Sequence, residues 1–140
     1  MKARSATTYE VRVYMGSINE ETKKKFSKKT IIESVGKFQD KQKQIIPVRM
    51  TKTIFVCGED YSEKGWELAV INYPRTETES RHLDSFMLSL AEYILHEFKQ
   101  NRVSVVMPLE TVMFERNNES KRFKWGRDKL AAIGLFGSKQ

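Results

Sequence analysis

The segment LDSFMLSLAEYILHEF, Leu83 to Phe98, decides the fold. Leu83, Phe86, Met87, Leu90, Ala91, Ile94 and Phe98 recur at three- and four-residue steps, so they form a wide apolar stripe along one side of an α-helix. On either side of this segment the period changes to that of strands. Trp66 to Tyr73 precedes it and is closed by Pro74, while Val103 to Met107 and Thr111 to Glu115 follow as two short strands around Pro108. A helix bracketed by strands in this way has a sheet to bury its stripe against.

Toward the N-terminus the same reading continues. Glu10 to Met15 alternates apolar and polar residues and is punctuated by Gly16 and Ser17, which predicts a first strand. The lysine-rich stretch after it, with Lys23 to Lys25, Lys28 and Lys29, reads as a solvated loop or a short frayed helix. Thr30-Ile31-Ile32-Glu33 has the spacing of a capping box, and Ile31, Ile32, Val35 and Phe38 fall on one face of a short helix despite Gly36 within it. Ile45 to Val56 is rich in β-branched residues, with Pro47 near its start, where a strand tolerates proline best. A polar connection from Cys57 to Gly65 then joins it to the Trp66 strand as an antiparallel pair. The order is β-α-β-β-α-β-β. It predicts an α+β domain, a ferredoxin-like antiparallel sheet with both helices on one face.

The strand patterns add a second expectation. Leu68 and Val70 lie on one side of their strand, Ile71 and Tyr73 on the other, and both alternating sets around Val105 to Met107 and Val112 to Phe114 are apolar. A half-exposed antiparallel strand alternates more cleanly, so these strands read as buried on both faces. Two helices cover one face only. A second subunit, or the C-terminal segment folded back, is expected over the other, because several wet apolar side chains would cost about as much as a domain's whole stability.

At 140 residues the chain suits one core domain, expected over 1–116, with a basic aromatic tail over 117–140. The formal charge of +7 is uneven. Seven basic residues against Glu119 and Asp128 give the stretch from Arg116 onward a net +5, so the rest carries +2. Attraction for polyanions follows charge only where it is concentrated. In the tail, Lys121, Arg122, Lys124 and Arg127 interleave with Phe123 and Trp125, a pattern that can neutralise phosphates while stacking on bases. Leu130, Ala131, Ile133, Leu135 and Phe136 argue equally for docking on the domain. No apolar run is long enough to span a membrane, there is no secretory h-region, and the one cysteine excludes an internal disulfide, so a cytoplasmic setting is expected.

No catalytic or metal motif is present, and no cofactor is expected. Glu92 and His96 are one helical turn apart but opposite the apolar stripe, so they read as a solvated pair; His82 reads as a loop or cap residue. Cys57 reads as a structural thiol, since nothing nearby would activate it. Glu59, Asp60 and Glu63 lack the spacing of a calcium loop. Two polar clusters invite a ligand instead. Asn72, Tyr73 and Arg75 close one strand, and Asn101 with Arg102 opens another; amides, a phenol ring and guanidiniums suit phosphate, carboxylate and planar rings. Arg49 and Lys52 could join them from a neighbouring strand or subunit, with Arg122 and Trp125 as a lid.

Over about residues 9 to 115 the element order resembles the ferredoxin-like and dimeric α+β-barrel superfamily. In size, lysine content and expected oligomerisation the chain also resembles small phage proteins that sequester host nucleotide signals, such as the Thoeris anti-defence sponges. The resemblance implies a non-enzymatic oligomer that binds a small anionic, nucleotide-like ligand between subunits. The alternatives are nucleic-acid binding through the tail and a small α+β-barrel enzyme.

Overall fold

The computed structural model describes residues 1–116. Its elements are β1 (Glu10–Gly16), α1 (Lys28–Asp40), β2 (Arg49–Val56), β3 (Ser62–Ile71), a 3-10 turn (Pro74–Thr76), α2 (Ser80–Glu97), β4 (Arg102–Val106) and β5 (Thr111–Glu115). The sheet runs β2-β3-β1-β4-β5, with every neighbouring pair antiparallel. β1 and β2 are therefore parallel across β3, and β3 and β4 are parallel across β1. These two interleaved split β-α-β units are the expected ferredoxin-like arrangement, extended by β5 as a hairpin strand.

One core forms on the helix side. Val11, Val13 and Met15 of β1 stand opposite Val70, Leu68 and Trp66 of β3, and all six are buried. Val103 and Val105 of β4 extend this floor. Leu83, Phe86, Met87, Leu90, Ala91 and Ile94 of α2 cover it, with Phe98 just past the helix end. α1 adds Ile31, Val35 and Phe38, and Phe38 meets the rings of Phe86 and Tyr93. Gln100, completely buried, locks the far end of the sheet: its Oε1 accepts from the Gly16 amide at 2.8 Å, and its Nε2 donates to the carbonyls of Ile18 at 2.8 Å and Phe98 at 3.1 Å.

Three local expectations are corrected. Helix α1 starts earlier, at Lys28, because Ser27 caps it by accepting from the Thr30 amide at 3.1 Å. Ile32 then turns outward and is exposed, and Ser34 takes the inner position, hydrogen-bonded to Tyr93 at 2.8 Å. β3 starts at Ser62, not Trp66, so the β2–β3 connection is short, closed by the Cys57 amide on the Tyr61 carbonyl at 2.9 Å, with Gly58 at φ +86. Glu63 and Lys64 look like loop residues but pair with the edge strand β2.

The second sheet face is also not as expected. Its residues are Arg49, Thr51, Thr53 and Phe55 of β2; Glu63, Gly65, Glu67, Ala69 and Ile71 of β3; and Glu10, Arg12 and Tyr14 of β1. β4 and β5 continue it with Arg102, Ser104, Val106, Thr111, Met113 and Glu115. Ile71 is half-buried and Met113 is exposed, but the centre is polar. Tyr73 lies beyond the end of β3. The sheet therefore has one apolar face and one mixed face, on which no described helix packs.

Candidate functional site

The centre of the mixed face is a small grid set by strand register. Ala69 lies between Arg12 on β1 and Arg49 on β2, and Glu67 lies between Tyr14 and Thr51. A small residue flanked by two arginines leaves room for their long side chains to reach the neighbouring row. The Tyr14 Oη donates to Glu67 Oε1 at 2.9 Å. Arg49 Nη2 donates to Glu67 Oε2 at 3.5 Å and to Glu10 Oε2 at 3.1 Å. Arg12 Nη1 reaches the Tyr14 Oη at 3.4 Å. Both oxygens of Glu67 are thus held, and five side chains form one continuous polar chain across three strands. The Phe55 ring stands edge-on to Tyr14, centroids 5.4 Å apart.

The electrostatics follow from this packing. Burial, reinforced by the hydrogen bond to the Glu67 carboxylate, raises the Tyr14 phenol above its ordinary value. The hydrogen bond that Arg49 donates to Glu10, opposed in part by burial, raises its guanidinium further. Across the face Arg12, Arg49 and Arg102 meet the carboxylates of Glu10, Glu63, Glu67 and Glu115. The balance is close to neutral. A face of this kind suits a ligand bearing both signs or none, and it does not select a pure anion.

The clamp expected from sequence does not assemble within one chain. Because β3 and β4 run parallel on either side of β1, the end of β3 and the start of β4 lie at opposite ends of the sheet. Asn72, Tyr73 and Arg75 are at one end, Asn101 and Arg102 at the other, separated by β1's seven residues, about 20 Å. Buried Asn72 joins chain segments, its Nδ2 donating to the Thr7 carbonyl and its Oδ1 accepting from the Thr78 amide, both at 2.9 Å. Tyr73 is half-buried at the start of the 3-10 turn, and Arg75 is exposed within it. Asn101 accepts from Arg116 Nη2 at 3.2 Å, and Arg102 Nε pairs with Glu115 at 3.0 Å. Arg49 is in the central grid. Lys52 faces the opposite side, its Nζ 5.7 Å from the Trp66 ring centre. Arg122, Trp125, Lys121, Lys124 and Arg127 lie outside the described residues. Cys57 is exposed and not packed in a core. Among the described residues no cluster of His, Cys, Asp or Glu could hold a metal, and no helix is long and apolar enough to cross a membrane.

Sequence reasoning missed Tyr14 and Glu67. The available signal was a pair of polar residues, Arg12 and Tyr14, alternating with Val11, Val13 and Met15, and a lone glutamate on the otherwise apolar Trp66–Ile71 stretch.

The fold defines a class, the ferredoxin-like α+β proteins with an appended β-hairpin strand. Within it the chain is similar to a phage SAM lyase solved in complex with S-methyl-5'-thioadenosine. The TM-score is 0.62 at 11% identity, over 83% of this chain and 95% of that one. The apo state of a phage SAM lyase matches with a TM-score of 0.63 at 11% identity, over 84% and 98%. No family model matches the chain, and no curated protein does. At this identity the likeness is one of fold.

Proposed function

We propose that this protein is a homo-oligomeric binding protein for a small nucleoside-type ligand, held on the mixed sheet face where a second copy closes over it. The observation that carries the reading is the Arg12–Tyr14–Glu67–Arg49 chain, partly desolvated at the centre of a face that no described element covers. Polar groups fixed in register around a small residue make a prepared floor, and the Tyr14 and Phe55 rings offer an apolar edge for a planar base. The near-neutral charge favours a ligand with a cationic and an anionic part over a simple anion. Support for the nucleoside class comes from the phage SAM lyase complex, whose bound ligand is S-methyl-5'-thioadenosine.

A second reading is that the same face is catalytic. It is favoured by the two lyase structures with this fold and by Glu67, a carboxylate whose position is fixed on both oxygens. Such a group can face a sulfonium centre or accept a proton once a substrate displaces its partners.

Native mass spectrometry of freshly purified protein, with calorimetry against S-methyl-5'-thioadenosine and SAM, tests both. An oligomer that binds either nucleoside without consuming it supports the binding protein. Release of S-methyl-5'-thioadenosine from SAM, lost in Glu67→Gln, supports the lyase. A monomer that binds neither overturns both.

A further inference from the structure

The helix side of the sheet carries a second cavity, separate from the mixed face. An open groove of about 790 Å³ is bounded by the edge strand β2, its neighbour β3 and the segment leading into α1. Lys25, Lys28, Lys52 and Lys64 line it, and its lining contains no carboxylate. None of these four ammonium groups enters an ion pair among the described residues. Four exposed lysines around one concavity, Lys52 with its Nζ against the Trp66 ring, give it a positive field that a multivalent anion would neutralise.

The walls are built in advance. The Phe26 amide donates to the Ser17 carbonyl at 3.0 Å, Ile18 and Lys25 form a β-bridge, and the Phe26 ring packs on Phe98 at 4.7 Å. Ser27 caps α1, a helix of 13 residues, so the positive end of its dipole adds to the same field. The volume suits a nucleotide-sized molecule.

We propose that this groove binds a small polyphosphate group, as carried by a nucleoside di- or triphosphate. Lys52 and Lys64 on the strands and Lys25 and Lys28 on the loop and helix start would contact the phosphates, with exposed Ile54 beside them. The site is independent of the nucleoside reading above, since it lies on the other side of the sheet.

The test is calorimetric titration of the full chain with inorganic tripolyphosphate, ATP and adenosine at low and high salt. Tripolyphosphate and ATP should bind with an affinity that falls as salt rises, and any binding of adenosine, which the mixed face would accommodate, should not depend on Lys52 or Lys64. Lys52→Glu and Lys64→Glu should each weaken binding by about tenfold or more, as loss of a charge-assisted contact does. Arg81→Glu, an equal charge change on an exposed residue away from the groove, should leave it nearly unchanged. Equal losses in all three variants would show unspecific attraction to a basic protein and overturn the proposal. So would tripolyphosphate that fails to bind, or a single-stranded oligonucleotide that outcompetes ATP and is equally weakened by Lys52→Glu.

Discussion

Tyr14 on β1 and Glu67 on β3 are direct cross-strand partners, and the phenol donates to the carboxylate at 2.9 Å. They are 53 residues apart in sequence and share no element, so only the sheet register brings them together. Replacing Tyr14 by Phe keeps the ring contact with Phe55 and removes only the hydroxyl. We expect a stability loss of about 1.5–3 kcal/mol, the range for a hydrogen bond to a charged group. Binding of S-methyl-5'-thioadenosine, measured by calorimetry, should fall by about tenfold or more, one such lost contact corresponding to about 1.4 kcal/mol.

Alkaline titration reads the same network and two other sites. Burial, with the Glu63 charge and hydrogen bond next, pushes the Tyr61 phenol up to about 12. Tyr14 is raised by burial and by Glu67, and Tyr9 by burial and by its hydrogen bonds to Asp84. A raised acid holds its proton more tightly when folded. These three tyrosines therefore contribute stability that is complete below about pH 10 and declines as pH rises toward the folded values. Absorbance of tyrosinate near 295 nm should show late-titrating phenols in the native protein, one fewer in Tyr14→Phe, and a midpoint near the ordinary value once urea has unfolded the chain.

Gln100→Leu preserves volume but deletes three hydrogen bonds. The Gly16 amide and the Ile18 carbonyl lose this partner at a site where Gln100 is wholly buried, at about 1–3 kcal/mol each. Urea unfolding should show a loss of about 3 kcal/mol or more, while Leu90→Ala in the core should cost about 2–5 kcal/mol through a cavity. An unchanged Gln100→Leu midpoint would mean that water replaces the amide.

Asn72→Ala separates structural from ligand roles. Its side chain bridges Thr7 and Thr78, so we expect about 1–3 kcal/mol of destabilisation with nucleoside affinity unchanged in the folded fraction. Arg75→Ala, on an exposed turn, should stay within about 0.5 kcal/mol of wild type in urea melts.

The helical half of the fold was readable because the Leu83–Phe98 stripe is a local, periodic signal, and every residue of it is buried. Boundaries were less readable where a local choice was close. Ser27 and Thr30 both suit a cap, and packing of Ile31 and Ser34 inward settles it in favour of Ser27. Glu63 and Lys64 read as loop because β3 there extends past the end of β1 and pairs with β2 alone, where no apolar face is needed. The site was the hardest part. Arg49, expected to join the Asn72 and Asn101 clusters, lies instead in the grid with Glu10 and Glu67. Asn72 and Asn101 share a residue type without sharing a place, and no local pattern reports which end of a sheet a residue occupies.

β1 has one more consequence, for the order in which the molecule can be made. Among the described strands it comes first in the chain and lies in the middle of the sheet, seated between β3 and β4. Its partners Leu68 and Val105 leave the ribosome long after Val13 does. Until β4 emerges, the nascent chain must carry a strand with one edge unsatisfied and an apolar row awaiting cover, the situation in which slow folding and misassociation arise. The sheet therefore cannot close until almost all of the described residues have been made, and its central strand spends that interval as the chain's most exposed apolar row.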